Sequence, residues 1–178
     1  MTADLQLLER WRTGDAEAGN ELFQRYLRSV YRFFRNKLQG DVDELVQATF
    51  LACVRGRDQF RQRGSFRGYL FAIARHELYR HLRHRRRDRR LDFNITSVAD
   101  LQTTAGTRLD RQKQRDRLLL AMQSLPLEQQ LILELYYWEE MAVADLADVF
   151  AIPRSTATSR LHRARRALRH RLECATTG

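Results

Sequence analysis

Helix-breaking residues are rare in this chain: two prolines, Pro126 and Pro153, and eight glycines are spread over 178 residues. Between them run long stretches of Leu, Ala, Arg, Glu and Gln, which lose little side-chain freedom in a helix, while β-branched residues are sparse. The chain is thereby directed to an all-α fold. Its length allows one medium domain or two small ones.

The places where helical spacing breaks divide the chain. From Leu5 to about Leu38 the apolar residues recur at helical intervals, interrupted at Thr13-Gly14-Asp15. Asp15 is placed to cap a long helix carrying Leu22, Phe23, Tyr26, Leu27, Val30 and Phe34. A second break at Gln39-Gly40-Asp41, with Gly40 as C-cap and Asp41 as N-cap, opens a helix to about Arg57. After the polar stretch from Arg61 to Ser65, Ser65 is placed to cap another long helix from Phe66 to about Arg87. From Leu91 to Arg108 no 3.6-residue period is sustained, and the basic run Arg85 to Arg90 precedes it. The expectation is two small helical domains, at 1–87 and 109–178, joined by a flexible linker at 88–108. Helical pattern resumes near Leu109, runs through Leu118, Leu119 and Met122, stops at Ser124-Leu125-Pro126 and starts again with Leu131, Ile132, Leu135 and Tyr136.

The formal net charge is +10, and all basic residues except Lys37 and Lys113 are arginines. Arginine suits bidentate contact with phosphates and base edges, so a polyanionic partner is implied. Cys53 and Cys174 are solitary and far apart, which suggests neither a zinc ribbon nor a disulfide framework. No basic-then-apolar leader and no apolar run of the ~20 residues needed to span a bilayer is visible, so a soluble, cytoplasmic protein without membrane insertion is expected. A nucleic-acid enzyme would need clustered carboxylates or a metal set. The acidic pairs Asp43-Glu44 and Glu139-Glu140 share no helical face with a histidine. His76, His81 and His84 lie in an arginine-rich stretch whose charge opposes cation binding. No catalytic site, metal or cofactor is expected.

Three segments carry recognisable surfaces. Ala144 to Phe150, the tight connection Ala151-Ile152-Pro153 and a longer helix from Arg154 have the organisation of a helix-turn-helix. On the second helix Ala157, Leu161, Ala164 and Leu168 form a narrow apolar stripe. Thr158, Ser159, His162 and Arg163 lie on the other side, flanked by Arg160, Arg165, Arg166 and Arg169, a set suited to the major groove and its phosphates. The helix from Asp41 is apolar on two sides, with Val42, Leu45, Val46, Thr49 and Cys53 on one and Leu51 and Val54 on the other. It is therefore either a fully buried central helix or one that faces its own core and a second protein, whose contact would mix Phe50, Leu51 and Val54 with Asp43, Glu44 and Gln47. On the next helix Phe71, Ala74, Leu78 and Leu82 form a core stripe, opposite Tyr69, Ile73, His76, Arg80 and Arg83. With Phe60, Arg61, Arg63, Ser65 and Phe66 just before, this resembles a surface where rings stack on unpaired bases and Arg follows the backbone, the equal alternative being that the rings are core and the arginines solvated.

Asp43-Glu44-Leu45-Val46-Gln47-Ala48-Thr49-Phe50, Asp58-Gln59-Phe60, the run Ser65 to Arg75 and the run Ile152 to Arg165 resemble regions two and four of the sigma-70 family. Their order, with a linker and no third domain between, is the layout of its extracytoplasmic-function group. The resemblance implies a factor that binds core RNA polymerase and promoter DNA. Asp43, Gln47, Phe50 and Val54 would meet the clamp coiled coil of the largest subunits, and the C-terminal domain the flap. Phe60 to Tyr69, with His76 and Arg80, would capture the minus-ten non-template strand and a flipped base, which needs a stacking pocket. Arg154, Ser155, Thr158, Ser159, Arg160, His162 and Arg163 would read the minus-thirty-five duplex. The linker would thread toward the transcript path, and an anti-sigma factor or other regulator is the family expectation. The chain departs from the family pattern at Ala48, where Glu is frequent, at Tyr69 and His76, where Trp and Asn are common, and at Ala142 and Ala151, where a cap and a turn glycine are usual. A conventional helix-turn-helix regulator remains the alternative, and it leaves the two-sided helix and the aromatic-basic face without a role.

Overall fold

In a computed structural model of the chain, residues 3–60, 64–86 and 113–174 are described. Among them are eight α-helices and one 3-10 turn: α1 (Ala3–Arg12), α2 (Ala16–Arg35), α3 (Asp43–Gly56), the turn Arg57–Gln59, α4 (Phe66–Arg86), α5 (Lys113–Gln123), α6 (Leu127–Tyr137), α7 (Val143–Phe150) and α8 (Arg154–Cys174). The described residues hold no strand, as an all-α composition requires. The chain divides into two compact units, residues 1–89 together with 144–152, and residues 90–143 together with 153–178.

Local signals set most helix ends. Asp15 caps α2 by accepting the Ala18 N–H at 3.2 Å, and Gly14, at φ +105°, makes the reversal before it. Ser65 Oγ accepts the Gly68 N–H at 3.0 Å and caps α4. The break around Gly40 differs from expectation. Helix α2 ends at Arg35 with Asn36 as its C-cap, and the Lys37 and Leu38 N–H groups both turn back to the Phe34 carbonyl. Gly40, at φ +90°, belongs to the following loop, and Val42 holds the N-cap position of α3. Asp41 acts one residue earlier, its carboxylate accepting the Asp43 N–H at 2.9 Å. A short polar side chain thus supports the turn without being the cap itself.

In the first unit the apolar faces of α1, α2, α3 and α4 close on one core, with Leu8, Leu22, Val30, Phe34, Cys53, Phe71 and Leu78 sealed from solvent. Aromatic pairs link the helices: Trp11 meets Phe23 edge-on at 5.3 Å, Phe23 meets Phe50 at 4.6 Å, and Phe33 meets Phe71 at 5.6 Å. Helices α1 and α2 approach closely because Gly19 has no side chain; a Cβ there would lie 2.6 Å from the Trp11 indole nitrogen. Lys37 is buried, and its ammonium donates to the Phe33 carbonyl at 2.6 Å and sits 4.0 Å over the Phe33 ring. That position at the end of α2 favours a cation.

In the second unit α6 is buried along most of its length, through Leu127, Leu131, Ile132, Leu133 and Leu135. It packs against α8, where Ala157, Leu161 and Ala164 are buried as the sequence stripe predicts and Leu168 is half-buried. Small residues in that stripe let the two helices approach. The Arg165 guanidinium lies over the Tyr136 and Tyr137 rings at 4.9 and 5.4 Å, which ties the middle of α8 to the end of α6.

Candidate protein and nucleic-acid interfaces

Helix α3 turns Val46, Thr49, Phe50 and Cys53 inward, leaving Asp43, Glu44, Gln47 and Leu51 exposed and Val54 half-buried. Beside it, on α2, Leu27 and Tyr31 are also exposed. Between the two helices runs an open, largely apolar groove of about 540 Å³, lined by Leu27, Arg28, Tyr31, Asp43, Val46, Gln47 and Phe50. Five of the six α3 residues expected at a protein contact thus keep solvent access. Phe50 does not: it is 8% exposed and packed on Phe23, so it forms the floor of the groove and offers little free ring. The α2 side of the groove escaped the sequence reading. Leu27 and Tyr31 fit a helical period whether or not something covers them.

A second cluster gathers where α3 gives way to the 3-10 turn. The Phe60 and Tyr69 rings lie 4.9 Å apart and tilted, both half-buried, with Ser65 beside them. The Tyr69 hydroxyl reaches to Gly56, where a methyl group would collide with it. Burial, followed by the nearby Cys53 sulfur, pushes the Tyr69 hydroxyl up to about 12, so it stays a neutral donor near neutral pH. Phe66 departs from expectation: it is completely buried, 5.7 Å from Tyr26, and is a core ring with no face for a base. The apolar spacing of α4 continues back through Phe66, which explains its inward direction. His76, Arg80 and Arg83 are exposed farther along α4. Arg80 forms an ion pair with the buried Glu77, which offsets part of its charge. Arg61 and Arg63 lie outside the described residues.

The third surface is α8. Arg154, Ser155, Thr158, Ser159, His162 and Arg163 are exposed on it. Thr158 and Ser159 donate their hydroxyls to the Arg154 and Ser155 carbonyls at 3.1 Å, leaving the oxygen lone pairs outward as acceptors. Arg160 is partly withdrawn: its guanidinium pairs at 3.3 Å with the buried Glu128 of α6. It therefore fixes α8 on α6 as well as bordering the outer face. Ala151, in the connection before α8, has φ +51°, the left-handed conformation that a turn glycine adopts without strain. A further exposed patch, missed in the sequence, is an open groove of about 450 Å³ between α6 and the last turns of α8. Leu133, Tyr137, Leu168 and Leu172 line it with Arg165, Arg169 and Glu173.

Among the described residues no group of acidic, histidine or cysteine side chains is placed to hold a metal, and no helix is long and apolar enough to cross a membrane. Comparison with known proteins matches residues 22–88 to the family model described as Sigma-70 region 2 and residues 115–168 to that described as Sigma-70, region 4. The chain is 25% identical over 181 residues to the ECF RNA polymerase sigma-E factor of Escherichia coli K12, covering 96% of this chain and 94% of the relative. It is 26% identical over 179 residues to the ECF RNA polymerase sigma factor SigM of Mycobacterium tuberculosis, covering 99% and 88%. Two solved structures share the fold. CnrH in complex with the cytosolic domain of CnrY has a TM-score of 0.69 at 22% identity, over 97% of this chain and 99% of that one. Sigma factor RpoE in complex with the anti-sigma factor NepR, from Bartonella quintana, has a TM-score of 0.65 at 21% identity, over 86% and 96%. The chain belongs to the sigma-70 family and, within it, to the extracytoplasmic-function group of RNA polymerase sigma factors. Its function is accordingly to join core RNA polymerase and direct initiation at particular promoters.

Proposed function

We propose that this sigma factor divides its work among the three surfaces just described, with region two at 1–87, a linker at 88–108 and region four at 109–178. Asp43, Glu44, Gln47, Leu51 and Val54, over the floor formed by Phe50, dock on the polymerase clamp coiled coil. Phe60, Ser65 and Tyr69, with Arg61, Arg63, His76, Arg80 and Arg83 following the backbone, hold the minus-ten non-template strand. Phe66 supports that site from the core. Arg154, Ser155, Thr158, Ser159, His162 and Arg163 face the minus-thirty-five duplex, with Arg160 at the edge. The groove between α6 and the end of α8 suits the flap. The chain performs no catalysis and works in the cytoplasm, and a protein regulator of the anti-sigma kind holds it inactive. Support for that last point is that CnrH and RpoE are each described in complex with such a protein or a cytosolic domain.

The observation that carries the reading is the exposed apolar groove flanked by Asp43 and Gln47, because a surface of that kind on a small charged protein marks a protein contact. Replacing Gln47 and Leu51 together by Ala tests it. Both side chains are exposed, so the unfolding midpoint should hold while affinity for core polymerase falls at least several-fold. Unchanged affinity would remove the clamp assignment. Run-off transcription from a promoter library by the assembled holoenzyme would then define the promoters it uses.

A further inference from the structure

Helix α1 lies ahead of the family-model match, which begins at residue 22. Its last residue reaches the strand-facing cluster. The 3-10 turn Arg57–Gln59 ends in extended backbone at Phe60, and carbonyls at such an end have no partner within the helix. Arg12 supplies one. Its Nη2 donates to the Arg57 carbonyl and to the Phe60 carbonyl at 2.5 Å each, and its Nε donates to the Arg57 carbonyl at 3.0 Å. The Arg12 side chain is only 16% exposed, and Glu9 lies 3.5 Å from its remaining nitrogen. The neighbouring Trp11 ring carries the Arg57 guanidinium at 5.2 Å. Two consecutive residues of α1 therefore grip both ends of the segment that leads to Phe60.

We propose that Arg12 is a positioning residue for minus-ten strand capture. It fixes the Phe60 carbonyl, and with it the Phe60 ring against Tyr69, so that the wall on which a base stacks exists before the strand arrives. This rests on the assignment of Phe60 and Tyr69 to that strand. A pocket set in advance does not have to be ordered when the base enters, and the ordering cost is removed from binding. The rigid guanidinium sets Nε and Nη2 together on the Arg57 carbonyl while Nη2 also reaches the Phe60 carbonyl, a fixed geometry that a flexible ammonium does not impose. Lysine at position 12 would keep the charge and lose the geometry.

The test uses the full chain assembled with core polymerase. The probe is a fork-junction DNA from a promoter that the wild-type holoenzyme transcribes, its single-stranded non-template segment either intact or lacking one base at a time. Phe60→Ala identifies the base that Phe60 holds, as the one whose removal cancels the defect of that variant. For Arg12→Ala and Arg12→Lys alike, binding to the intact probe should weaken roughly tenfold, the order of one weakened base stack. The loss should vanish on the probe lacking that same base, and affinity for core polymerase should be unchanged. An equal loss on both probes, or a loss matched by weaker core binding, would make Arg12 a general structural residue and overturn the proposal. A base-dependent defect for Phe60→Ala with none for Arg12→Ala would overturn it while leaving the capture site standing. No base dependence for Phe60→Ala at any position would remove the capture site and the proposal together.

Discussion

The cluster proposed to hold the strand is built in the first unit from Arg12, Gly56, Phe60 and Tyr69, on three helices and just after a 3-10 turn, whereas the second unit sets Arg154 through Arg163 along one helix. The first depends on contacts between segments far apart in sequence, so a change in one member displaces the others. The second inherits its geometry from the helix itself, with a buried stripe behind and the proposed base-contacting residues in front. Mutations in the two should therefore behave differently. In the cluster, stability and binding change together wherever a ring is shared with the core. On α8 they separate.

The largest effect is expected at Phe66. Replacing this fully buried ring with Ala should destabilise the first unit by about 3–5 kcal/mol, seen as a large fall in the unfolding midpoint. A midpoint within a degree or so of wild type would return Phe66 to the list of surface stackers. Next comes Arg163→Ala on α8, which should reduce discrimination at one minus-thirty-five base pair by about 1–3 kcal/mol and leave the midpoint in place. Equal affinity for all four base pairs before and after would show that Arg163 reads none of them. Smaller again is Ala151→Gly. Relief of the left-handed alanine should raise stability by about 0.5–1 kcal/mol, less the entropy glycine adds to the unfolded chain. A lowered stability in chemical denaturation would mean that the strain there is negligible.

The smallest effect concerns the cap of α2. The Arg10 guanidinium, and then the Ala18 N–H, hold the Asp15 carboxyl below its usual range. A carboxyl lowered in the folded state adds stability above its unfolded value of 3.8, and that stability is lost as pH falls through the lower folded value. Asp15→Ala should thus unfold at a lower temperature than wild type at pH 7, and the gap should close as the pH drops below 3.8. A gap that persists in acid would assign the effect to something other than the charged cap.

The same contrast governs what the sequence discloses. Asp15, Ser65, Pro153 and the Ala157-Leu161-Ala164 stripe act on residues within a turn or two, so their roles are legible from spacing alone. Periodicity also places Phe50 and Phe66 near a surface of interest, yet it cannot say that Phe23 and Tyr26 cover them. The pairing of Arg160 with Glu128 spans 32 residues and that of Arg12 with Phe60 spans 48, and nothing local announces either. Helix α2 stops short of the expected break because the Phe34 carbonyl accepts two backbone N–H groups at once, a matter of turn geometry that composition does not encode.

Cys53 is sealed inside α3, its thiol pushed by burial up to about 12, while Cys174 is exposed near the end of α8. A thiol reagent at pH 8 therefore meets one cysteine at once and the other only when the first unit opens. The chain carries a clock and its own zero point. Because Cys53 is buried in the core of the first unit and close enough to Tyr69 to influence its hydroxyl, its labelling rate measures how often that part of the unit opens, and how far polymerase or DNA slows it, without any engineered probe.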